Sequence, residues 1–185
     1  MAANRHLLDK NNAALLIIDI QERLAAVMDK KDMVVRNTLH LVELAKMQNI
    51  PVVVTEQYPR GLGRTLPEIV SALPAYLPVE KVAFNCCGEA SFNEQVRRLG
   101  KKKIIVTGME THICVLQTCL GLLQEGFDVH LVTDAVCSRT KANWRAGLEF
   151  IRDAGGVVTC TETVLFQLLG VAGTNEFKVI SQRIK

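Results

Sequence analysis

Short apolar runs recur along this chain, and each ends at a polar residue. The first run, residues 13–18, reads AALLII and is followed by Asp19, and residues 51–55 read PVVVT. Continuous apolar runs of this length are typical of strands buried on both faces of a parallel sheet. Segments with helix-like apolar spacing lie between the runs and supply the crossovers that parallel strands require. The sequence therefore predicts an α/β fold.

The remaining elements alternate in the same way. Further strands are predicted near residues 78–80, 103–107, 128–133 and 157–159. Helices are predicted over residues 32–48, from a capping box at Ser91 and Glu94 to Gly100, from Cys114 to about Gly126, and around Trp144 and Phe177. Residues 56–78 hold four of the five prolines and form the longest predicted irregular segment. The pattern predicts a three-layer, Rossmann-like fold with a six-stranded, mostly parallel sheet in the order 3-2-1-4-5-6 and helices on both faces.

Composition limits the classes of function. A length of 185 residues predicts a single domain over residues 1–185, with residues 1–12 as a polar N-terminal extension. The net charge of +3, without a basic stripe, argues against nucleic acid as a partner. No apolar run reaches the length of a membrane span or is typical of a secretion signal, so no membrane partner is expected and the location is predicted to be cytoplasmic. The six cysteines are then interpreted as reduced thiols, with Cys119, Cys137 and Cys160 in the core.

Three polar residues are predicted to meet at one edge of the sheet. Asp19 follows the first strand, Lys81 ends the third, and Cys114 comes after the glycine turn that ends the fourth. In this topology ligands bind beyond the carboxyl ends of the strands, where the strand order reverses. A thiol at the start of a helix lies near unpaired N–H groups, which favour the thiolate. A carboxylate base, an ammonium and a thiol together suit nucleophilic catalysis.

Each of these residues also has a purely structural interpretation. A single cysteine on a helix is more often a small core residue. A lone lysine is usually on the surface, and an aspartate after a strand is often a turn former. Only the combined placement of the three favours a site.

The motifs around these residues resemble those of the isochorismatase-like cysteine hydrolases. The matching segments are residues 16–21 (LIIDIQ), 80–85 (EKVAFN) and 107–115 (TGMETHICV). The similarity runs from about residue 12 onwards. It is strongest to the isochorismatase-domain-containing group, in which a segment like residues 56–63 (EQYPRGLG) also recurs.

The resemblance implies a catalytic triad of Asp19, Lys81 and Cys114. It also implies a cis peptide between Met109 and Glu110, with the N–H groups of Glu110 and Cys114 as oxyanion donors. The implied reaction is hydrolysis of a small amide or related acyl compound through a thioester, without a cofactor, in a homo-oligomer. Family nicotinamidases hold a metal through an Asp-x-His element and a further histidine, but residues 55–79 contain neither aspartate nor histidine. No metal site is therefore expected.

Two other functions remain open at this point. One is a non-catalytic binding or scaffold protein that keeps the fold. The other is hydrolysis of a vinyl ether such as isochorismate, but relatives with that activity need not have the cysteine.

Four further residues are candidates for the pocket or its support. Gln21 is predicted to support Asp19. Tyr58 and Phe84 line the pocket or pack in the core, and His112 either contacts substrate or is an exposed histidine at a helix start.

Overall fold

The computed structural model describes residues 4–185 and contains one six-stranded parallel sheet. The strand order is β3-β2-β1-β4-β5-β6, which confirms the predicted topology. The strands are β1 (Ala13–Ile18), β2 (Val52–Gln57), β3 (Val79–Lys81), β4 (Lys103–Met109), β5 (Asp128–Cys137) and β6 (Val157–Thr159).

Helices cover both faces of the sheet. They are α1 (Glu22–Ala25), α2 (Lys31–Met47), α3 (Pro59–Leu62), α4 (Pro67–Ala72), α5 (Ala90–Arg98), α6 (Leu116–Gln124), α7 (Lys141–Asp153), α8 (Thr161–Leu169) and α9 (Asn175–Arg183). A 3-10 turn covers Cys86–Gly88, and a π-helical turn, Thr111–Val115, joins β4 to α6.

Strand β1 is at the centre of the sheet and is buried on both faces. Leu15 and Ile17 belong to the core beneath one helical layer, whereas Leu16 and Ile18 belong to the core beneath the other. Alternate residues of a strand face opposite sides of the sheet, so both sides need apolar residues when both are covered. This explains why the run at residues 13–18 has no polar interruption.

Several predicted element bounds are wrong. Residues 56–78 include the end of β2 and two short helices, α3 and α4, each of which begins with proline. Proline is favoured at the first helical position because the missing N–H is not needed there. Strand β5 continues past residue 133 to Cys137, and the sequence pattern does not predict α8.

The predicted capping box at Ser91 and Glu94 is also wrong. Helix α5 begins at Ala90, so Ser91 lies inside its first turn, and no side chain caps this helix. Glu94 instead pairs with Arg98 one turn further on. A sequence match to the capping motif does not fix the residue at which a helix begins.

The N-terminal segment from residue 4 packs against the edge of the sheet opposite the strands' carboxyl ends. The buried Lys103 ammonium donates to the carbonyl oxygens of Asn4 and Leu7, and the buried His130 ring contacts the Arg5 carbonyl. Leu8 is buried in the core. The predicted polar extension is thus partly packed, and its residues 1–3 lie outside the described residues.

Candidate active site

The carboxyl edge of the sheet brings the three predicted site residues together. Asp19 directly follows β1, Lys81 is the last residue of β3, and Cys114 lies in the π-helical turn after β4. Lys81 pairs in register with Gln57 on β2, and Ile18 pairs with Thr55. The end of β2 therefore lies between Asp19 and Lys81.

Asp19 and Lys81 form a fully buried ion pair. Lys81 Nζ lies 2.8 Å from Asp19 Oδ2, and neither side chain exposes any surface. The other carboxylate oxygen, Oδ1, accepts a 2.6 Å hydrogen bond from the Thr55 hydroxyl. Although Oδ2 lies close to the ammonium, residues 4–185 give it no hydrogen bond of regular geometry. Oδ2 therefore keeps a lone pair that can take a proton.

Oxygen atoms surround the Lys81 ammonium. Besides its ion pair with Asp19, Nζ donates to Gln57 Oε1 at 2.6 Å and to the carbonyl oxygens of Ala83 and Phe84 at 3.3 and 3.4 Å. Burial is the largest single influence and disfavours the charged lysine, but Asp19, Cys86 and Cys114 together outweigh it, and the pKa of Lys81 is raised above its ordinary value. The lysine is therefore a permanent cation at neutral pH.

The predicted position of Cys114 at a helix start favours a thiolate. In the structure Cys114 is instead a buried thiol that keeps its proton. Burial and the nearby Asp19 carboxylate raise the pKa of Cys114 to about 12, although the Lys81 ammonium acts in the opposite direction. The cysteine also lies inside the π-helical turn, before α6 begins. Because the resting sulfur keeps its proton, this site needs a base to make it nucleophilic.

Two residues of β2 belong to the site but were missed by the sequence analysis. The Thr55 hydroxyl holds Asp19 Oδ1, and Gln57 Oε1 contacts both Lys81 Nζ and, at 3.9 Å, Cys114 Sγ. Both side chains are buried. The available signal was their position: β2 neighbours β1, so its carboxyl end had to lie at the same edge.

Gln21 supports Gln57 and not Asp19 as predicted. Its side-chain oxygen accepts from Gln57 N at 2.8 Å, and its Nε2 donates to Gln57 O at 3.0 Å and to Gly63 O at 2.7 Å. Its only contact with Asp19 in the described hydrogen bonds is through the backbone, from Gln21 N to Asp19 O at 2.9 Å. Gln21 therefore fixes the backbone at the end of β2.

The peptide between Met109 and Glu110 is cis, as the resemblance implies. Met109 is fully buried, and Glu110 is nearly so. The Glu110 carboxylate accepts from the backbone N–H of Arg139 at 2.9 Å and from its Nε at 3.1 Å. Helix α7 lies close to the π-helical turn that follows Glu110. A Cβ added to Gly147 of this helix would lie only 2.9 Å from Thr111 O. Arg139 and helix α7 thus restrain the backbone beside Cys114.

The remaining candidates lie around the site at different depths. Tyr58 and Phe84 are each 54% exposed, which excludes core packing for both. A groove of about 300 Å³ beside Lys81 is lined in part by Tyr58 and Val82. His112 is half-buried in the π-helical turn, with Nδ1 3.0 Å from Ser138 Oγ. His112 is therefore not fully exposed. Among the described hydrogen bonds, none joins its side chain to Cys114.

Metal-ligating side chains do not gather anywhere in the part of the chain described. From residue 4 to residue 185, no group of three or more His, Cys, Asp and Glu side chains could hold a metal ion together. Nor does any helix in that range have the length and apolar character needed to cross a membrane.

Comparison with known proteins identifies the family. The model of the isochorismatase domain matches residues 13–163, a range that contains Asp19, Lys81 and Cys114. The chain belongs to the isochorismatase family. The fold is therefore that of an isochorismatase-family hydrolase.

Proteins similar to this chain have varied names. The secreted isochorismatase effector Isc1 of Phytophthora sojae is 40% identical over 179 residues, which cover 95% of this chain and 85% of that protein. The structure of the MAR1 ribonuclease from Caenorhabditis elegans superposes with a TM-score of 0.89 at 31% identity, over 96% of this chain and 92% of that one.

Two solved YcaC structures have the same isochorismatase-family fold. YcaC from Pseudomonas aeruginosa, solved with hexane-2,5-diol and covalent acrylamide, has a TM-score of 0.90 at 28% identity and covers 96% of this chain and 91% of that one. YcaC from Escherichia coli is described as an octameric hydrolase of unknown specificity. It has a TM-score of 0.90 at 27% identity and covers 96% of this chain and 90% of that one.

Proposed function

We propose that this chain is a single-domain, metal-independent cysteine hydrolase that cleaves a small amide or related acyl compound through a thioester. The observation that carries the proposal is the placement of a buried thiol beside a buried Asp19–Lys81 ion pair at the carboxyl edge of the sheet. A scaffold protein would need neither the buried charges, which are costly to desolvate, nor a thiol beside them.

The first half of the reaction forms the thioester. Asp19 takes the proton from Cys114, and the sulfur attacks the substrate carbonyl carbon while the π electrons move to the oxygen. The N–H groups of Glu110 and Cys114 are proposed to bind that oxyanion. The tetrahedral intermediate then expels the amine, which takes the proton from Asp19.

The second half releases the acid. Asp19 takes a proton from water, and the resulting hydroxide attacks the thioester carbon. The Cys114 thiolate leaves and recovers its proton from Asp19. Throughout, the Lys81 ammonium compensates the negative charge that moves between Asp19 and Cys114.

Two relatives bear on the choice of substrate. The Pseudomonas YcaC structure contains covalent acrylamide, which is an electrophilic amide, and this supports amide-sized electrophiles as ligands of the present site. The name of the Caenorhabditis relative includes ribonuclease. In this chain the thiol is 5% exposed, which favours a small substrate over a polynucleotide.

Location and assembly are further parts of the proposal. All six cysteines lie within the described residues and are free, which suits a reducing cytoplasm, although the Phytophthora relative is named a secreted effector. The octameric YcaC supports assembly of this chain into a homo-oligomer.

The test is hydrolysis of a panel of small amides by wild type, Cys114→Ala and Cys119→Ala. Cys119 is a matched control because it is a fully buried cysteine in the adjoining helix α6. We expect Cys114→Ala to lose activity by about three orders of magnitude or more, as for other essential nucleophiles, and Cys119→Ala to keep it. Peptide mass spectrometry with acrylamide should label Cys114. Equal activity of wild type and Cys114→Ala on every amide cleaved would contradict the proposal.

A further inference from the structure

Gln57 makes the shortest contact of the Lys81 ammonium. Its Oε1 lies 2.6 Å from Lys81 Nζ, compared with 2.8 Å from Nζ to Asp19 Oδ2. The same oxygen lies 3.9 Å from Cys114 Sγ, within the range of a weak S–H hydrogen bond. One neutral oxygen therefore contacts both the cation and the thiol.

The orientation of this amide is fixed at both ends. Gln57 Nε2 donates to Val82 O at 2.7 Å. A flipped amide would direct its NH₂ group at an ammonium, and donor against donor is unfavourable. The backbone of Gln57 is held in turn by the Gln21 side chain. The oxygen cannot turn away from Lys81 and Cys114 without breaking several buried hydrogen bonds.

Lys81 has no spare donor for the sulfur in this arrangement. An ammonium has three N–H groups, and four oxygen atoms lie within 3.4 Å of Nζ. The titratable groups that face Cys114 are Asp19, Lys81 and the buried thiol of Cys86. Asp19 is the only carboxylate among them, and Lys81 is the only cation.

We infer that Gln57 is a positioning residue that keeps Cys114 a neutral thiol in the resting site. Its oxygen accepts the S–H hydrogen and also draws an N–H of Lys81 away from the sulfur. A thiolate would face this oxygen without any hydrogen between them, so the amide opposes ionisation. Since alkylating agents and peroxide react with the thiolate, the resting nucleophile is protected from both.

The inference rests on the proposed role of Cys114 as nucleophile, but its test does not need turnover. The test measures the rate at which iodoacetamide alkylates Cys114 between pH 6 and pH 11 in wild type, Gln57→Met and Gln57→Glu. Because the wild-type pKa of Cys114 is about 12, the shift of each midpoint is obtained from the change in rate at a fixed pH below it. Peptide mapping by mass spectrometry separates Cys114 from the half-exposed Cys87 and Cys160. Circular dichroism confirms that each variant is folded.

The two substitutions should move the pH midpoint of alkylation in opposite directions. Methionine removes the acceptor of the S–H hydrogen and leaves Lys81 with one oxygen fewer to compete with the thiolate, so the midpoint falls. Glutamate puts a carboxylate beside the sulfur, so the midpoint rises. A midpoint that moves by one pH unit changes the alkylation rate below it by about tenfold.

A purely structural role gives a different result. Both substitutions remove the hydrogen bond to Val82 O, and glutamate adds a charge whatever the role of Gln57, so the Gln57→Met variant decides. If Gln57 only holds this loop, the Gln57→Met midpoint stays at the wild-type value or rises. That outcome overturns the inference. A Gln57→Glu midpoint within about 0.3 pH unit of wild type also overturns it, because a neighbouring charge moves a pKa by about one pH unit or more. Gln57→Leu replaces Gln57→Met if the latter does not fold.

Gln48 supplies the matched control. Gln48 directly follows α2, and its Nε2 also donates to a backbone carbonyl, Leu168 O, at 3.0 Å. Gln48→Glu and Gln48→Met should leave the Cys114 profile unchanged. If no amide is hydrolysed but the midpoints move in opposite directions, the proposed function fails while the role of Gln57 is retained.

Discussion

Lys81 Nζ contacts Asp19 Oδ2 at 2.8 Å across the end of an intervening strand, with both side chains fully buried. Strand β2 lies between the strands that carry the two residues, and its Thr55 and Gln57 contact one partner each. Each charge therefore has a polar neighbour on β2 in addition to its ion partner. Removing one charge leaves the other buried and unpaired, which costs much more than removing both.

Asp19→Asn should therefore destabilise the protein and abolish hydrolysis. The expected loss is about 3–5 kcal/mol of unfolding free energy, because Lys81 is left without a counter-ion. Urea denaturation at pH 7 measures this loss, and a free energy within about 1 kcal/mol of wild type would contradict it.

The double variant Asp19→Asn with Lys81→Met separates stability from activity. It removes the buried charge as well as its partner, so most of the lost stability should return. Hydrolysis should not return, because the base is still absent. A double variant that is no more stable than Asp19→Asn would show that the pair itself holds the fold together.

Alkaline pH should destabilise the protein through its buried thiols. Burial raises the pKa of Cys114 to about 12, of Cys87 to about 11 and of Cys137 to about 12. Between the ordinary value of 9.0 and these values the unfolded chain loses protons that the folded chain keeps, so stability falls as pH rises. Each fully buried thiol contributes at most about 1.4 kcal/mol per pH unit.

Urea denaturation at pH 8 and pH 10 under reducing conditions measures this fall. Lys81 adds to the fall only above its ordinary pKa of 10.5, since its pKa is also raised in the folded state. Replacing the buried Cys119, whose pKa is raised as well, by alanine should reduce the pH dependence. A stability that does not change between pH 8 and pH 10 would contradict the prediction.

Mild acid should weaken the N-terminal packing through His130. This residue is 1% exposed, and burial lowers its pKa from 6.5 to about 4, although the hydrogen bond to Arg5 O acts in the opposite direction. Below pH 6.5 the unfolded chain binds a proton that the folded chain does not, so stability falls until about pH 4.

His130 is expected to lower the unfolding free energy by about 2 kcal/mol between pH 7 and pH 5. His130→Gln should remove it, because a glutamine amide can still donate to Arg5 O but does not titrate. His112→Gln, at the carboxyl edge of the sheet and away from the N-terminal segment, serves as the control. Identical pH profiles for wild type and His130→Gln would show that His130 does not set the acid response.

Gly108→Ala should disrupt the site through the backbone. A Cβ at this position would lie 2.0 Å from the carbonyl oxygen of Ile18, and Gly108 has φ +132°. Ile18 directly precedes Asp19, so any shift that relieves the clash moves the carboxylate. We expect the unfolding free energy, measured by thermal denaturation, to fall by about 3 kcal/mol or more.

Gly170→Ala is the control for backbone conformation alone. It has φ +69° but no atom within 4 Å of the added Cβ. The unfolding free energy of Gly170→Ala should be only about 1 kcal/mol below that of wild type. Equal losses for the two variants would show that the contact between β1 and β4 does not contribute.

Most of the fold could be predicted because local patterns encode it. The apolar run at residues 13–18 is typical of a strand covered on both faces, and the alternation of elements limits the sheet to few topologies. Short elements were missed where the signal was weak. Helices α3 and α4 have only four and six residues, too few for a periodic pattern.

For the site, the sequence by itself determined which residues reach the carboxyl edge of the sheet. Asp19, Lys81 and Cys114 each follow or end a strand, and a strand's end is visible in the sequence. The tertiary structure alone decided the state of the thiol and the part played by Gln57. Both depend on burial and on the register between strands, because desolvation and hydrogen-bond geometry arise from all the packed elements together. A helix start favours a thiolate locally, but in the folded protein the buried surroundings and the Asp19 carboxylate outweigh that preference.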